Sequence, residues 1–181
     1  MRISTSSEGF SAWSDLVNLV REAFAFMDGR IDPPSSLTKM GIEEFKTKAA
    51  EETLIGAHED QTLVGCAFAA VRDDCVYVGK LAVAQSARRK GVARRLFAEA
   101  DEIARRHGRR FLELQTRVEL VENHATFAAL GFTKVAETAH PGHDRATSIT
   151  CVGWSPRPLC CALGRASRSV DMCCPGRIYP H

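Results

Sequence analysis

The segment Val76-Tyr-Val-Gly-Lys-Leu-Ala-Val83, followed after a short polar loop by Arg88-Arg-Lys-Gly-Val-Ala93, decides the architecture of this chain. The first half is rich in β-branched residues and reads as a strand. The second half opens a helix whose apolar residues Val92, Ala93, Leu96, Phe97, Ala100, Ile103 and Ala104 paint one face as far as His107. The first-turn amides of such a helix lack internal partners and carry the positive end of its dipole. Gly91 lets the backbone approach a ligand closely, and Arg88, Arg89 and Lys90 add formal charge at the same place. Donors and cations together predict an anion site, and a pyrophosphate suits it. Gly91 stands alone, so neither G-x-G-x-x-G nor G-x-x-x-x-G-K-[ST] is present.

Outward from this unit, Gly108 ends the helix and Phe111-Leu-Glu-Leu-Gln-Thr116 is the next strand. A strand, a crossover helix and a second strand imply parallel neighbours. On the helix surface, Arg95/Glu99 and Glu102/Arg106 are spaced to pair at i, i+4. Upstream, Leu54–Glu59 and Leu63–Arg72 read as strands, and Asp73-Asp74 turns the chain into the Val76 strand, giving an antiparallel meander. A helix from Trp13 to Met27, capped by Ser11 or Ser14 and stopped by Gly29, comes before them. The prolines of Ile31-Asp-Pro-Pro-Ser-Ser36 break the chain ahead of a second helix over Thr38–Lys48. A short helix from Asn123, its N-cap, to Leu130 leads to strands near Thr133–Glu137 and Arg145–Val152. The fold class is α/β: a mixed sheet in which an antiparallel meander precedes a parallel β-α-β unit, with helices on both faces.

At 181 residues and 45% hydrophobic content the chain supports one core, assigned to residues 1–153. Acids and bases nearly balance at a net charge of +2, so no global field calls for nucleic acid or a membrane. The Arg88–Arg95 cluster has no aromatic platform beside it for single-stranded nucleic acid. No apolar run approaches bilayer length and the amino end lacks the apolar core of a signal peptide, so a cytoplasmic protein with reduced thiols is expected, as a monomer or homodimer. Residues 154–181 are an atypical Cys/Pro-rich tail, expected to be disordered or loosely packed. Its adjacent cysteine pairs do not match the C-x-x-C spacing of zinc sites, so no metal is expected.

The R-x-x-G-x-A pattern of Arg88 to Ala93, the strand before it and Asn123-x(7)-Gly131-Phe132 farther on resemble the GCN5-related N-acetyltransferase (GNAT) family over roughly Thr53 to Thr150. The resemblance implies that acetyl-coenzyme A is the cosubstrate and that Arg88, Arg89, Lys90, Gly91, Val92 and Ala93 hold its pyrophosphate. It also implies that the parallel strands splay apart, and that the backbone of Leu81, Ala82 and Val83 pairs with the pantetheine arm in the gap, where an amide polarises the thioester carbonyl. Asn123 matches a position that hydrogen-bonds the pantetheine or an ordered water, and Phe127 lies beside the departing sulfur. The acceptor implied is an amine of a small molecule or a protein that attacks directly. Its pocket is walled by the connection between the first two helices, here Met27 and the loop bearing Arg30, Asp32 and Ser35. Arg30 and Asp32 either read opposite charges on the substrate or pair with each other.

Two positions depart from the family pattern. Phe127 replaces a tyrosine that often protonates the sulfur, and the Val76–Val83 strand carries Tyr77 and Lys80 where many members have a glutamate. His140 and His143 are candidate bases near neutral pH, either catalytic or merely exposed in their loop, and Glu122 and Glu119 are candidates through a water. The same departures leave a second function open: a domain that binds acyl-coenzyme A as a sensor without turnover.

Overall fold

A seven-stranded mixed sheet of order β1-β2-β3-β4-β5-β7-β6 forms the middle layer of the computed structural model, which describes residues 1–5 and 9–154. The strands are β1 (Arg2–Thr5), β2 (Thr53–Glu59), β3 (Thr62–Val71), β4 (Cys75–Val83), β5 (Phe111–Arg117), β6 (Thr133–Thr138) and β7 (Ser148–Trp154). The helices are α1 (Trp13–Phe24), α2 (Ile42–Glu51), α3 (Val92–Arg106) and α4 (Val121–Ala129). β2, β3 and β4 are the antiparallel meander, and β4 and β5 are the parallel pair joined by α3. The predicted α/β class is therefore the observed one.

Each face of the sheet has its own core. On one, Val92, Leu96, Phe97, Ala100 and Ile103 of α3 pack on Ile55, Ala67, Val76 and Leu112. On the other, Leu16, Val17 and Val20 of α1 and Phe45 of α2 pack on Leu54, Cys66 and Phe68. Cys66, Cys75 and Cys151 are buried. No helix among the described residues is long and apolar enough to cross a membrane.

The feature that positions the site is a fault in the middle of this sheet. β4 and β5 pair only from Cys75 to Tyr77, opposite Phe111 to Glu113. Beyond Tyr77 they part, because a bulge re-aims β4: Phe68 faces Gly79 and Cys66 faces Ala82, so Lys80 and Leu81 together oppose Ala67. Lys80 takes the extra residue's strain at φ +52°.

Several local expectations change. β1 was not foreseen; it adds an antiparallel edge strand to β2, from Arg2 opposite His58 to Thr5 opposite Ile55. α1 has Ala12 at its N-cap without a side-chain bond, so neither Ser11 nor Ser14 caps it, and its last predicted turn, Ala25–Met27, is a 3₁₀ turn. α2 starts at Ile42, where Glu44 accepts from the Gly41 amide at 2.8 Å, and the preceding Ser36–Lys39 is a separate 3₁₀ turn capped by Ser35. On α3 the acids choose other partners: Arg106 pairs with Glu99 and Arg105 with Glu102, while Arg95 donates to the Met1 carbonyl. Leu120, and not Asn123, is the N-cap of α4. β7 runs through Trp154, which pairs with Phe111; the rest of the Cys/Pro-rich tail lies outside the described residues.

Candidate active site

The loop before α3 has the backbone that its sequence requires. Gly91 is the N-cap of α3 at φ +79°, and Arg89, two residues earlier, is also left-handed at φ +61°. A non-glycine residue held there is strained, and such strain concentrates where a ligand is gripped. The first rung of α3 runs from the Arg95 amide to the Gly91 carbonyl at 3.2 Å, so the Val92, Ala93 and Arg94 amides stand ahead of the ladder. A methyl group built on Gly91 would meet nothing within 4 Å, so the space above the loop is open to a ligand.

That space belongs to a cavity of about 750 Å³. Arg88, Arg89, Gly91, Val92 and Ala93 line one end, and Leu81, Val83, Asn123 and Phe127 the other. Lys90 does not line it, because its ammonium leans toward Glu59 at 3.6 Å. Ala82 is buried on the α1 side of the sheet. Arg94 lines the cavity and was not anticipated, although its place in the first turn of α3 was the available signal.

A second cavity of about 380 Å³ lies on the α1 side of the splay and shares Phe24, Leu81, Asn123 and Phe127 with the first. The two therefore meet where β4 and β5 part. Met27 and Ser35 line this cavity, and Arg30 and Asp32 do not. Nor do those two pair with each other: Arg30 bridges to Glu122 of α4 at 2.7 Å, and Asp32 faces Arg145 at 3.3 Å and His143 at 3.7 Å. Both ties anchor the proline-rich loop across the opening. Asn123 donates to Thr116 Oγ1 at 3.4 Å, joining α4 to the β5 wall.

Sequence reading named Tyr77, Lys80 and His140 but missed Gln115 and Arg117 at the polar end of this second cavity. That end is formed by Tyr77 and Lys80 of β4, Gln115 and Arg117 of β5, and His140. Alternation along β5 was the signal available, since it places Glu113, Gln115 and Arg117 on one face. Burial pushes the Lys80 pKa down, aided by Lys48 and opposed by Glu52, and burial pushes the Tyr77 pKa up. Arg117 is 9% exposed and donates through Nη2 to the Pro33 carbonyl at 2.9 Å. Its Nη1 lies 3.1 Å from His140 Nε2. The same Nη1 lies 3.1 Å from His140 Nδ1, which is also 2.5 Å from Thr147 Oγ1, and the Thr147 hydroxyl reaches the Thr138 carbonyl at 3.4 Å. Burial, then Arg117 and His143, hold the His140 pKa below its ordinary value.

Every candidate base is engaged. His140 lies against the Arg117 guanidinium, Glu122 is bridged to Arg30, His143 sits against Asp32, and Glu119 stands between Arg117 and Arg145. Hydrogen bonding to Arg30 comes first among the causes that hold the Glu122 carboxyl below the usual carboxylate range. Phe127 packs edge-on against Phe97 and Phe132, an apolar setting at the junction of the cavities.

The acetyltransferase (GNAT) family model matches residues 13–132. Among solved structures, the PaiA N-acetyltransferase of Thermoplasma acidophilum in complex with coenzyme A is similar at a TM-score of 0.69 and 15% identity, covering 85% of this chain and 99% of that one. An aminoglycoside 6'-N-acetyltransferase complexed with coenzyme A is similar at a TM-score of 0.64 and 18% identity, covering 87% and 99%. The ribosomal-protein-S18-alanine N-acetyltransferase of Escherichia coli is similar at a TM-score of 0.59 and 16% identity, covering 87% and 96%. At these identities the likeness is one of fold. No curated protein matches the chain.

Proposed function

We infer that this chain, which belongs to the acetyltransferase (GNAT) family, transfers the acetyl group of acetyl-coenzyme A to an amine. The observation that carries this reading is the meeting of two cavities at Leu81, Asn123 and Phe127, one ending in a cationic left-handed loop and the other in a pocket lined by Tyr77, Lys80, Arg117 and His140.

Arg88, Arg89, Arg94 and the amides of Gly91, Val92 and Ala93 hold the pyrophosphate. The β4 edge released from β5, at Leu81, Ala82 and Val83, offers backbone groups to the pantetheine arm and to the thioester oxygen as charge develops on it. The acceptor amine enters from the smaller cavity, its nitrogen bonds to the acetyl carbon, the carbon–sulfur bond breaks, and the ammonium proton passes to solvent. Phe127 has no proton to give, and the thiolate of coenzyme A leaves unaided; a thiol of pKa about 8.5 is a tolerable leaving group. His140 is assigned to holding Arg117 and not to proton abstraction.

The test is thiol release from acetyl-coenzyme A across a panel of amines, with coenzyme A binding measured in parallel. Amine-dependent release is expected. The absent acid at position 127 and the engaged bases favour one alternative, an acyl-coenzyme A sensor. Tight coenzyme binding with no release against any amine would select it.

A further inference from the structure

We propose that the acceptor is a small amine that also carries a carboxylate, an amino-acid-like zwitterion with an apolar body, bound with its carboxylate toward Arg117 and Lys80. The proposal deepens the transferase reading and rests on it. The charge of the smaller cavity carries it. Among the described residues, the ionisable side chains that line it are Tyr77, Lys80, Arg117 and His140, and no aspartate or glutamate does.

The acids nearest this end stand behind the lining: Glu119 keeps a buried Oε2 beside Arg117, and Glu52 acts on Lys80 from the end of α2. Glu119 and Asp32 face Arg145, at 3.6 and 3.3 Å, and Glu119 Oε2 stops 3.8 Å from Arg117 Nε. Glu52 is bridged to Lys48 on α2. The lining itself presents two cationic side chains, Lys80 and Arg117, and no acid. Arg117 has its fork fixed by the bonds to His140 and Pro33, which take two of its five N–H groups and leave donors for a planar anion. Met27, Ile31 and Leu120 form an apolar cluster beside this end and suit a compact hydrocarbon body.

A cation alone is a poor guest here. A polyamine would bring positive charge beside Lys80 and Arg117 with no lining counter-ion, whereas a carboxylate on the same molecule compensates it. The same two cations lower the pKa of the bound ammonium and so raise the share of neutral amine. That supplies the nucleophile in a site whose candidate side-chain bases are all engaged.

The experiment pairs L-methionine and L-phenylalanine with their carboxamides, and adds spermidine as a cation without a carboxylate. Thiol release from acetyl-coenzyme A gives kcat/KM, and titration into coenzyme-A-saturated protein gives affinity without turnover. Carboxamides have the less basic amines and offer more neutral nucleophile at pH 7.5, so amine reactivity cannot mimic a preference for the free acids. About a tenfold or greater preference for the acids is expected in both measurements, the size of a charge-assisted hydrogen bond. Lys80→Met and Arg117→Gln should each reduce that preference about tenfold. Lys80 offers only its backbone carbonyl to Cys66, which Lys80→Met keeps, so that variant keeps the test informative if Arg117→Gln, which frees Pro33, fails to fold. Equal affinity for acid and amide, or spermidine as the preferred acceptor, would overturn the proposal. Tighter binding of the acids without thiol release from any amine would support the charge assignment and overturn the transferase reading instead.

Discussion

Gly91→Asp is expected to abolish most coenzyme A binding while leaving the fold in place, and the structure lets both effects be sized. The position has φ +79° and open space beyond it, so the substitution clashes with nothing and costs only left-handed backbone strain, roughly 1 kcal/mol. For a chain of this size that lowers Tm by about 2–4 °C. The new carboxylate would stand where the pyrophosphate is proposed to lie. At a separation of about 5 Å and an effective dielectric near 20, one pair of like charges costs about 3 kcal/mol, or roughly 200-fold in Kd. Gly91→Ala carries the strain without the charge and should cost no more than about a tenth of that factor. Isothermal titration with coenzyme A at low and high salt, beside thermal melts, separates the terms. Screening should shrink the Asp defect at high salt and leave the Ala defect unchanged. An Asp variant that melts normally and binds within about threefold of wild type, or an Ala variant as impaired as Asp, would refute the placement of the anion.

The other expectations can be checked with simpler measurements. Arg89→Gly relieves a left-handed residue and should melt no lower than wild type while binding coenzyme A more weakly; a melt several degrees lower would show that Arg89 is not strained. Phe127→Tyr should change kcat by less than about threefold between pH 6 and 9, whereas a rise within the roughly 10²- to 10⁴-fold range of general acids would mean that the missing proton limits turnover. Burial raises the Cys66 pKa to about 12, so native protein at pH 8.5 should resist alkylation at Cys66, and peptide mapping that finds it modified at the rate of an exposed thiol would contradict the packing. His58 and His140 have folded pKa values below their ordinary value, mainly through burial, so the unfolded chain binds protons first as pH falls. Stability should hold above about pH 7 and decline as pH falls through the ordinary histidine value of about 6.5 toward the folded values, and a His58→Gln/His140→Gln variant should show a shallower decline.

The sequence by itself determined what is local. A repeat of three and four gave α3 its face toward the sheet, a period near two gave the strands, and the order strand, loop, helix, strand gave the parallel pair. Gly91 and its neighbours could be read as an anion loop because backbone conformation and charge are properties of adjacent residues. Two local features escaped this reading. β1 is four residues without a pattern of its own, and the open edge of β2 decides its pairing. Surface ion pairs on α3 depended on side-chain reach, which let Arg106 choose Glu99 over the spacing expected.

The smaller cavity was decided by tertiary structure. Arg117 meets Pro33 across 84 positions of sequence, and Arg145 meets Asp32 across 113. Those meetings turned Arg30 and Asp32 from candidate substrate readers into anchors of their loop, and turned His140 from a candidate base into a support for Arg117. A charge in a sequence has no assigned partner. Distance and burial choose one, and both are set only when the β4 bulge has parted the strands and the loops have closed around the gap.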